Sequence, residues 1–480
     1  MGVTTSISQM TRDLFTGFNR RKFLQASGLV VAGTALAACG AEPAKAPEAP
    51  ATGAPSGAFQ EPRSKLSGNL SILMWSHFVP AHDKWFDPWV KEWGSRVGVN
   101  VTVDHVSYTE LIPRTNAEIQ ARQGHDLILH ISPVPQFEKS CLDLSDVVTE
   151  AGKRHGKQLE LCTKSSYNPT TRKWFAYTPA WVPDPGDFRK SLWEPVGFAN
   201  GPATYDDLLE GGADIKSSKN IQIGIGMSQE IDSNMAGRAL LWSYGASIQD
   251  ANERVVLNSP ETIAAVEYMT KLYQQTMTPE VFAWDAASNN QGLVAGKLSY
   301  ILNSISAWRT SQENNPVVAD DTFFSPALRG PKDAKVASHV MYNWIVPSHA
   351  TNPDAAKEFL LHYTANSAQV AWNSKLYDFP AFPDTVPNLD AWLDNDPYGA
   401  KPANKLAVLK NSIDWSANVG YPGPANTAEG EVFATFIIPN MFARAARGEA
   451  NPQQAVADAE AQIKPIFDKW RQQGLIGGGR

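Results

Sequence analysis

The sequence predicts an α/β protein with helices wound on both faces of its sheets. Three observations carry that prediction. Residues 66–131 run through strand, helix, strand, helix and strand patterns in turn. Helix starts built on Ser-Pro or Asn-Pro recur at Ser259-Pro260, Asn352-Pro353 and Asn451-Pro452. Short apolar runs at 221–226, 298–303 and 340–346 keep adding strands towards the C-terminus. With 480 residues, 43% of them hydrophobic, the chain can bury the cores of two or three domains. Its 34 Gly and 33 Pro are scattered, and charged residues make up only 19%, which excludes collagen-like, coiled-coil and largely disordered chains. Three cysteines exclude a disulfide scaffold or a Cys-rich metal framework.

The elements follow in order. Residues 1–38 read as an export signal. Arg20 and Arg21 precede an apolar run, Leu24 to Ala38, too short for a comfortable membrane span. The pattern resembles a twin-arginine signal, although a positive n-region also suits general secretion. Leu36-Ala37-Ala38-Cys39 resembles a lipobox, which implies cleavage before Cys39 and acylation of its thiol. Residues 39–65, rich in Ala and Pro, form a tether without a core. Taking the four basic residues and one acid of the signal from 42 basic and 49 acidic leaves 38 and 48, a net charge of about −10. Such a body has no electrostatic reason to bind nucleic acid. Cys141 and Cys162 sit in an exported context where they could pair or stay apart.

Leu70 to Trp75 is the first strand of the body, and Val99–Val103 the second. Between them Trp85, Trp89 and Trp93 recur every four residues, a helical stripe that predicts packing against a sheet. A helix from about Tyr108 to Gln123 leads into Asp126–Ile131, the third strand. Ligands of doubly wound sheets sit beyond the carboxyl ends of the strands, so the loops after Trp75 and Leu129 are the first candidates. Further helices are expected from Thr204 and over Met235–Trp242, and a short strand at Trp174–Tyr177.

In this order several segments resemble one family. Gly68-Asn69-Leu70-Ser71-Ile72 with Trp75, Gly124-His125-Asp126-Leu127-Ile128, and Thr178-Pro179-Ala180-Trp181 match its first strand, third strand and hinge crossing. Phe188–Trp193, Ala203–Leu208 and Ile345–Leu360 resemble its later motifs. The chain is identified as similar to extracellular solute-binding proteins of bacterial ABC importers, in the maltose-binding-protein-like carbohydrate branch (family 1). The resemblance implies a two-lobed, class II periplasmic-binding-protein-like fold. Residues 66–178 would begin the first lobe, 179–320 would make most of the second, and 321–480 would complete both. It further implies a monomer that is not an enzyme, needs no cofactor, holds a sugar between its lobes and presents it to an ABC permease, with Cys39 anchoring the protein to the membrane.

A pyranose offers apolar faces and a rim of hydroxyls, which suits aromatic rings combined with carboxylates, amides or His. By position in the family pattern the candidates are Trp75, His77 and Phe78 in the first loop and His130, near Ser132, after the third strand. Trp181 after the hinge, Glu230 and Asp232 in the 229–232 segment, Trp308, and Tyr342 complete the set. A structural role for His130 and a core role for Trp181 fit the residues equally well. Departures from the pattern, such as Ser306 in place of a stacking tryptophan and Val340 and Met341 beside Tyr342, argue against maltose itself. Polyamine cargo would use Glu230, Asp232 and nearby aromatics. Hydrolase and P-loop motifs are absent from the sequence, and Glu230 and Asp232 are too close in one loop to oppose each other as a glycosidase pair.

Overall fold

The computed structural model describes residues 53–337 and 340–478. Arg20, Arg21, Cys39, the signal and most of the tether lie outside the described residues. The first lobe is built on a four-stranded sheet in the order Asn343–Ile345, Leu127–His130, Gly68–Trp75, Val99–Val106. Gly68–Trp75 pairs in parallel with Val99–Val106 along its whole length, from Gly68 opposite Val99 to Trp75 opposite Val106. The late strand Asn343–Ile345 joins antiparallel to Leu127–His130. Leu70, Ile72, Leu73 and Met74 are all buried, as expected of a strand covered on both faces.

The helix Ala81–Val97 carries the tryptophan stripe and packs on the sheet strand Val99–Val106, as expected, while the rings of Trp89 and Trp93 also meet a second helix. Trp89 stacks on His362 at 5.0 Å, and Trp93 meets Phe359 at 5.3 Å, both on Pro353–Ala365. A four-residue period specifies one apolar face without saying which element covers it.

The second lobe has a mixed sheet in the order Thr322–Ser325, Gly186–Arg189, Leu298–Leu302, Gln222–Gly224. Its helices start as the caps predict. Thr204 accepts from the Asp207 amide at 3.0 Å ahead of Tyr205–Lys219, and Ser259 caps Pro260–Thr276. Two segments cross between the lobes and bond to each other: Tyr177 and Trp344 exchange backbone bonds of 2.8 and 2.9 Å, and the Val182 amide donates to Val340 at 2.9 Å. Ala180–Trp181 pairs with Phe379–Pro380 in a small antiparallel ladder beside this crossing. Cys141 and Cys162 are separate buried thiols, so the pairing left open by the sequence does not form.

Candidate ligand-binding cleft

The first lobe's contribution begins where its first strand ends. Trp75 is fully buried, with His77 stacked on it at 4.7 Å and Phe78 set edge-on at 4.6 Å. His77 turns inwards. Its Nε2 lies 2.9 Å from the Tyr342 hydroxyl, and that hydroxyl donates to Asp378 Oδ1 at 2.6 Å. Trp75, His77 and Tyr342 therefore form one aromatic and hydrogen-bonded block. Phe78 stays half-buried and, with Val79 and Lys84, lines a cavity of about 210 Å³ whose other wall includes Arg309, Thr310 and Glu313.

The second lobe answers with a helix start. Glu230 is the N-cap of Ile231–Ser243, accepting from the Asp232 amide at 2.6 Å and the Ser233 amide at 2.5 Å. Burial, then the charge of Asp232, pushes the Glu230 carboxyl up to about 8. Asp232 accepts from the Asn289 side-chain amide at 2.8 Å.

Two tyrosines tie the halves together. Tyr108 opens the first-lobe helix Tyr108–Ala121, and its phenol is pushed up by burial and then by the charges of Glu230 and Asp232. Tyr377 packs edge-on to His77 at 5.1 Å. Its phenol is pushed up by burial, with the charges of Asp184, Asp378 and Asp232 adding to the rise. Nearby, Arg309 of the helix Ser306–Asn314 reaches the Lys375 carbonyl at 2.8 Å and pairs with buried Asp396 at 2.7 and 3.0 Å.

The remaining candidates pack into the interior. His130 is buried, bonds Thr115 Oγ1 at 3.0 Å, and is pushed down to about 3 by burial. Ser132 is buried close to it in the chain. Trp308 is 1% exposed, donates its indole N–H to Ala319 O at 3.1 Å and meets Phe324 edge-on at 5.3 Å. Trp181 is 2% exposed, sits edge-on to Phe379, and lines a separate cavity of about 390 Å³ with Pro383, Val386 and Leu389. Thus Trp75, His77, Phe78 and Tyr342 gather in one block and Glu230 and Asp232 at one helix start, while His130 and Trp308 are held by their own lobes. Sequence reasoning missed Tyr108, Tyr377, Asp378 and Asn289. Only Tyr108, at a helix start after a strand, carried a local signal.

With this geometry in view, the relatives agree. A family model for bacterial extracellular solute-binding proteins matches residues 89–402. The chain belongs to that family. As a solute-binding protein it belongs with binders rather than catalysts, which removes the glycosidase reading. Its two-lobed architecture superposes on the maltose-bound MalE3 of T. maritima with TM-score 0.68, at 17% identity, covering 83% of this chain and 100% of that one. A sugar transporter of Arthrobacter chlorophenolicus with bound laminaribiose gives 0.69 at 14%, covering 83% and 99%. A solute-binding protein of Thermotoga lettingae with bound α-D-tagatose gives 0.68 at 17%, covering 83% and 100%. Binding proteins of Brucella abortus and Brucella suis are 24% identical over 175 residues, which is 36% of this chain and 42% of the length of those relatives. Among the described residues no helix is long and apolar enough to cross a membrane.

Proposed function

We propose that this solute-binding protein is the lipid-anchored, extracytoplasmic component of an ABC importer, capturing a sugar or oligosaccharide between its lobes and delivering it to the permease. The observation that carries the reading is the meeting of first-lobe aromatics with second-lobe carboxylates. The Tyr108 phenol is raised by burial and by the charges of both Glu230 and Asp232, and Trp75, Phe78 and Tyr342 form an aromatic block of the first lobe. Rings for the apolar faces of a pyranose and carboxylates for its hydroxyls are what such a ligand needs. Hinge closure about the 177–182 and 340–344 crossing would hide it from water. The sugars bound by the neighbours of the same fold support the class of cargo. In this reading residues 66–178 and 179–320 supply most of the two lobes, 321–480 completes both, and the protein works as a monomer. His130, Trp181 and Trp308 serve chiefly to shape the walls behind the cleft.

The same carboxylates and rings favour one second reading, a polyamine held by charge and cation–π contacts. A thermal-shift screen of saccharides, polyols and polyamines separates the two. A ligand that binds only the native state stabilises it by about 2.7 kcal/mol at a hundredfold excess over its dissociation constant. Stabilisation by polyamines alone would reject the sugar. For the anchor, Cys39→Ser should release the protein from the membrane fraction, and replacing Arg20 and Arg21 by Lys should block export if the twin-arginine route is used. Unchanged anchoring or unchanged export would reject those two parts separately.

A further inference from the structure

We propose that His77, His82 and Asp378 form a binding site for one borderline divalent transition-metal ion, with zinc as the reference. The site shares His77 with the candidate cleft block, and its ion is distinct from the cargo proposed above. Two imidazoles and one carboxylate are a donor set suited to zinc, cobalt or nickel and unlike the all-oxygen sets of calcium and magnesium. One donor atom from each of the three side chains can be chosen so that all lie within 4.8 Å of one another, and His77 Nε2 is 3.4 Å from Asp378 Oδ2. Two ligands of a tetrahedral zinc with bonds of about 2.1 Å are roughly 3.4 Å apart. Because the two imidazoles lie nearly parallel, one ring must tilt out of the stack to bring both Nε2 lone pairs onto one ion.

Part of the second coordination layer is in place. His82 Nδ1 donates to Asp83 Oδ1 at 3.2 Å, and His77 Nδ1 lies 3.1 Å from the Val79 carbonyl. Protons on both Nδ1 atoms leave both Nε2 lone pairs for the cluster, the arrangement metal-binding histidines use. Asp83 steers both residues, because its other oxygen accepts from the His77 backbone amide at 2.9 Å. The two imidazoles stack at 4.3 Å and 18°. Tyr342 holds Asp378 Oδ1, and Asp378 Oδ2 faces the cluster.

The independent sign of a ligand is buried polar atoms that lack a hydrogen bond. His82 Nε2 and Asp378 Oδ2 make no hydrogen bond, although both side chains are only 1% exposed. Buried polar atoms ordinarily find partners, and a single cation would satisfy both. The Val79 amide also lies 2.9 Å from His77 Nδ1. Without a metal this contact suits the opposite tautomer, with the proton on Nε2 facing Tyr342, so metal binding would switch the His77 tautomer. Tyr377 packs edge-on to His77, so ion binding would also be felt at that ring.

The test uses tag-free full-length protein stripped with a chelator. Titration with Co²⁺ should produce the visible d–d band of a tetrahedral nitrogen–oxygen site, saturating at about one ion per chain, and Zn²⁺ should displace it. His82→Gln and Asp378→Asn should each weaken Zn²⁺ binding at least 10-fold, the lower end of what loss of even an outer partner costs. Absence of the band with wild-type protein, or equal Zn²⁺ affinity in folded His82→Gln, would overturn the proposal. If Asp378→Asn does not fold, the wild-type titration and His82→Gln decide it.

Discussion

The two walls of the cleft are buried alike and built differently. On the first lobe, polar atoms belong to rings: His77, Tyr342 and Tyr377 present heteroatoms on flat apolar bodies, organised around one carboxylate, Asp378. On the second lobe, polar atoms belong to flexible carboxylates fixed by a helix start, with Glu230 spent on backbone amides and Asp232 on Asn289. A ring wall holds its shape by packing and tolerates little rearrangement. A carboxylate wall holds its shape by hydrogen bonds and answers to pH.

That contrast can be broken first where burial is most complete. Asp396→Ala strips Arg309 of its partner in the second lobe, and the pair is 2% and 0% exposed. An uncompensated buried guanidinium should cost about 3–5 kcal/mol in denaturant unfolding. A loss below about 1 kcal/mol would mean that water reaches Arg309. Trp308→Ala should cost a similar 3–5 kcal/mol through a cavity and leave cargo affinity nearly unchanged in the protein that remains folded. A selective loss of affinity without destabilisation would return Trp308 to the binding wall.

Phe78→Ala sharpens the comparison from the other side. This half-exposed ring should weaken cargo binding by about 0.5–1.5 kcal/mol, the scale of an aromatic contact, with stability little changed. Calorimetry showing wild-type affinity would remove Phe78 from the wall.

Glu230 supplies the pH signature. Its native carboxyl is raised from an ordinary 4.5 to about 8, so between those values the native state holds more proton than the unfolded chain. Its contribution is therefore fully present below about pH 4.5 and is lost as pH rises through 8. Glu230→Gln should flatten the fall in melting temperature between pH 5 and 8.5. An identical slope in the variant would place the titration elsewhere. The smallest expected effect lies away from the cleft: Thr204→Ala removes a cap and should cost about 1 kcal/mol with no change in affinity.

Local rules made much of the fold legible. Alternating and four-residue periods, together with the Ser-Pro and Asn-Pro starts, located the strands and helices near their observed ends. Family motifs located the crossing at Trp181 and the cluster at Trp75 to Phe78. The site was less legible. Glu230 and Asp232 were singled out because the 229–232 segment follows the family pattern, but the sequence places them only in a loop and does not show that Glu230 caps the helix Ile231–Ser243. Asp378 was not singled out, because nothing in Leu376-Tyr377-Asp378 marks a partnership with His77, some 300 residues earlier.

By itself, then, the sequence determined periodicity, caps, the acidic balance of the body and the family to which it belongs, because each depends on neighbours along the chain. Tertiary structure decided which face each aromatic residue shows. Trp75 and Trp308 have the same side chain and nearly the same burial, yet one abuts the cleft block and the other fills the second lobe. It also decided that the tryptophan stripe meets a helix, that Cys141 and Cys162 stay apart, and that His77 and His82 stack beside Asp378. Those outcomes depend on contacts between segments distant in sequence, whose geometry is set only when the whole core closes.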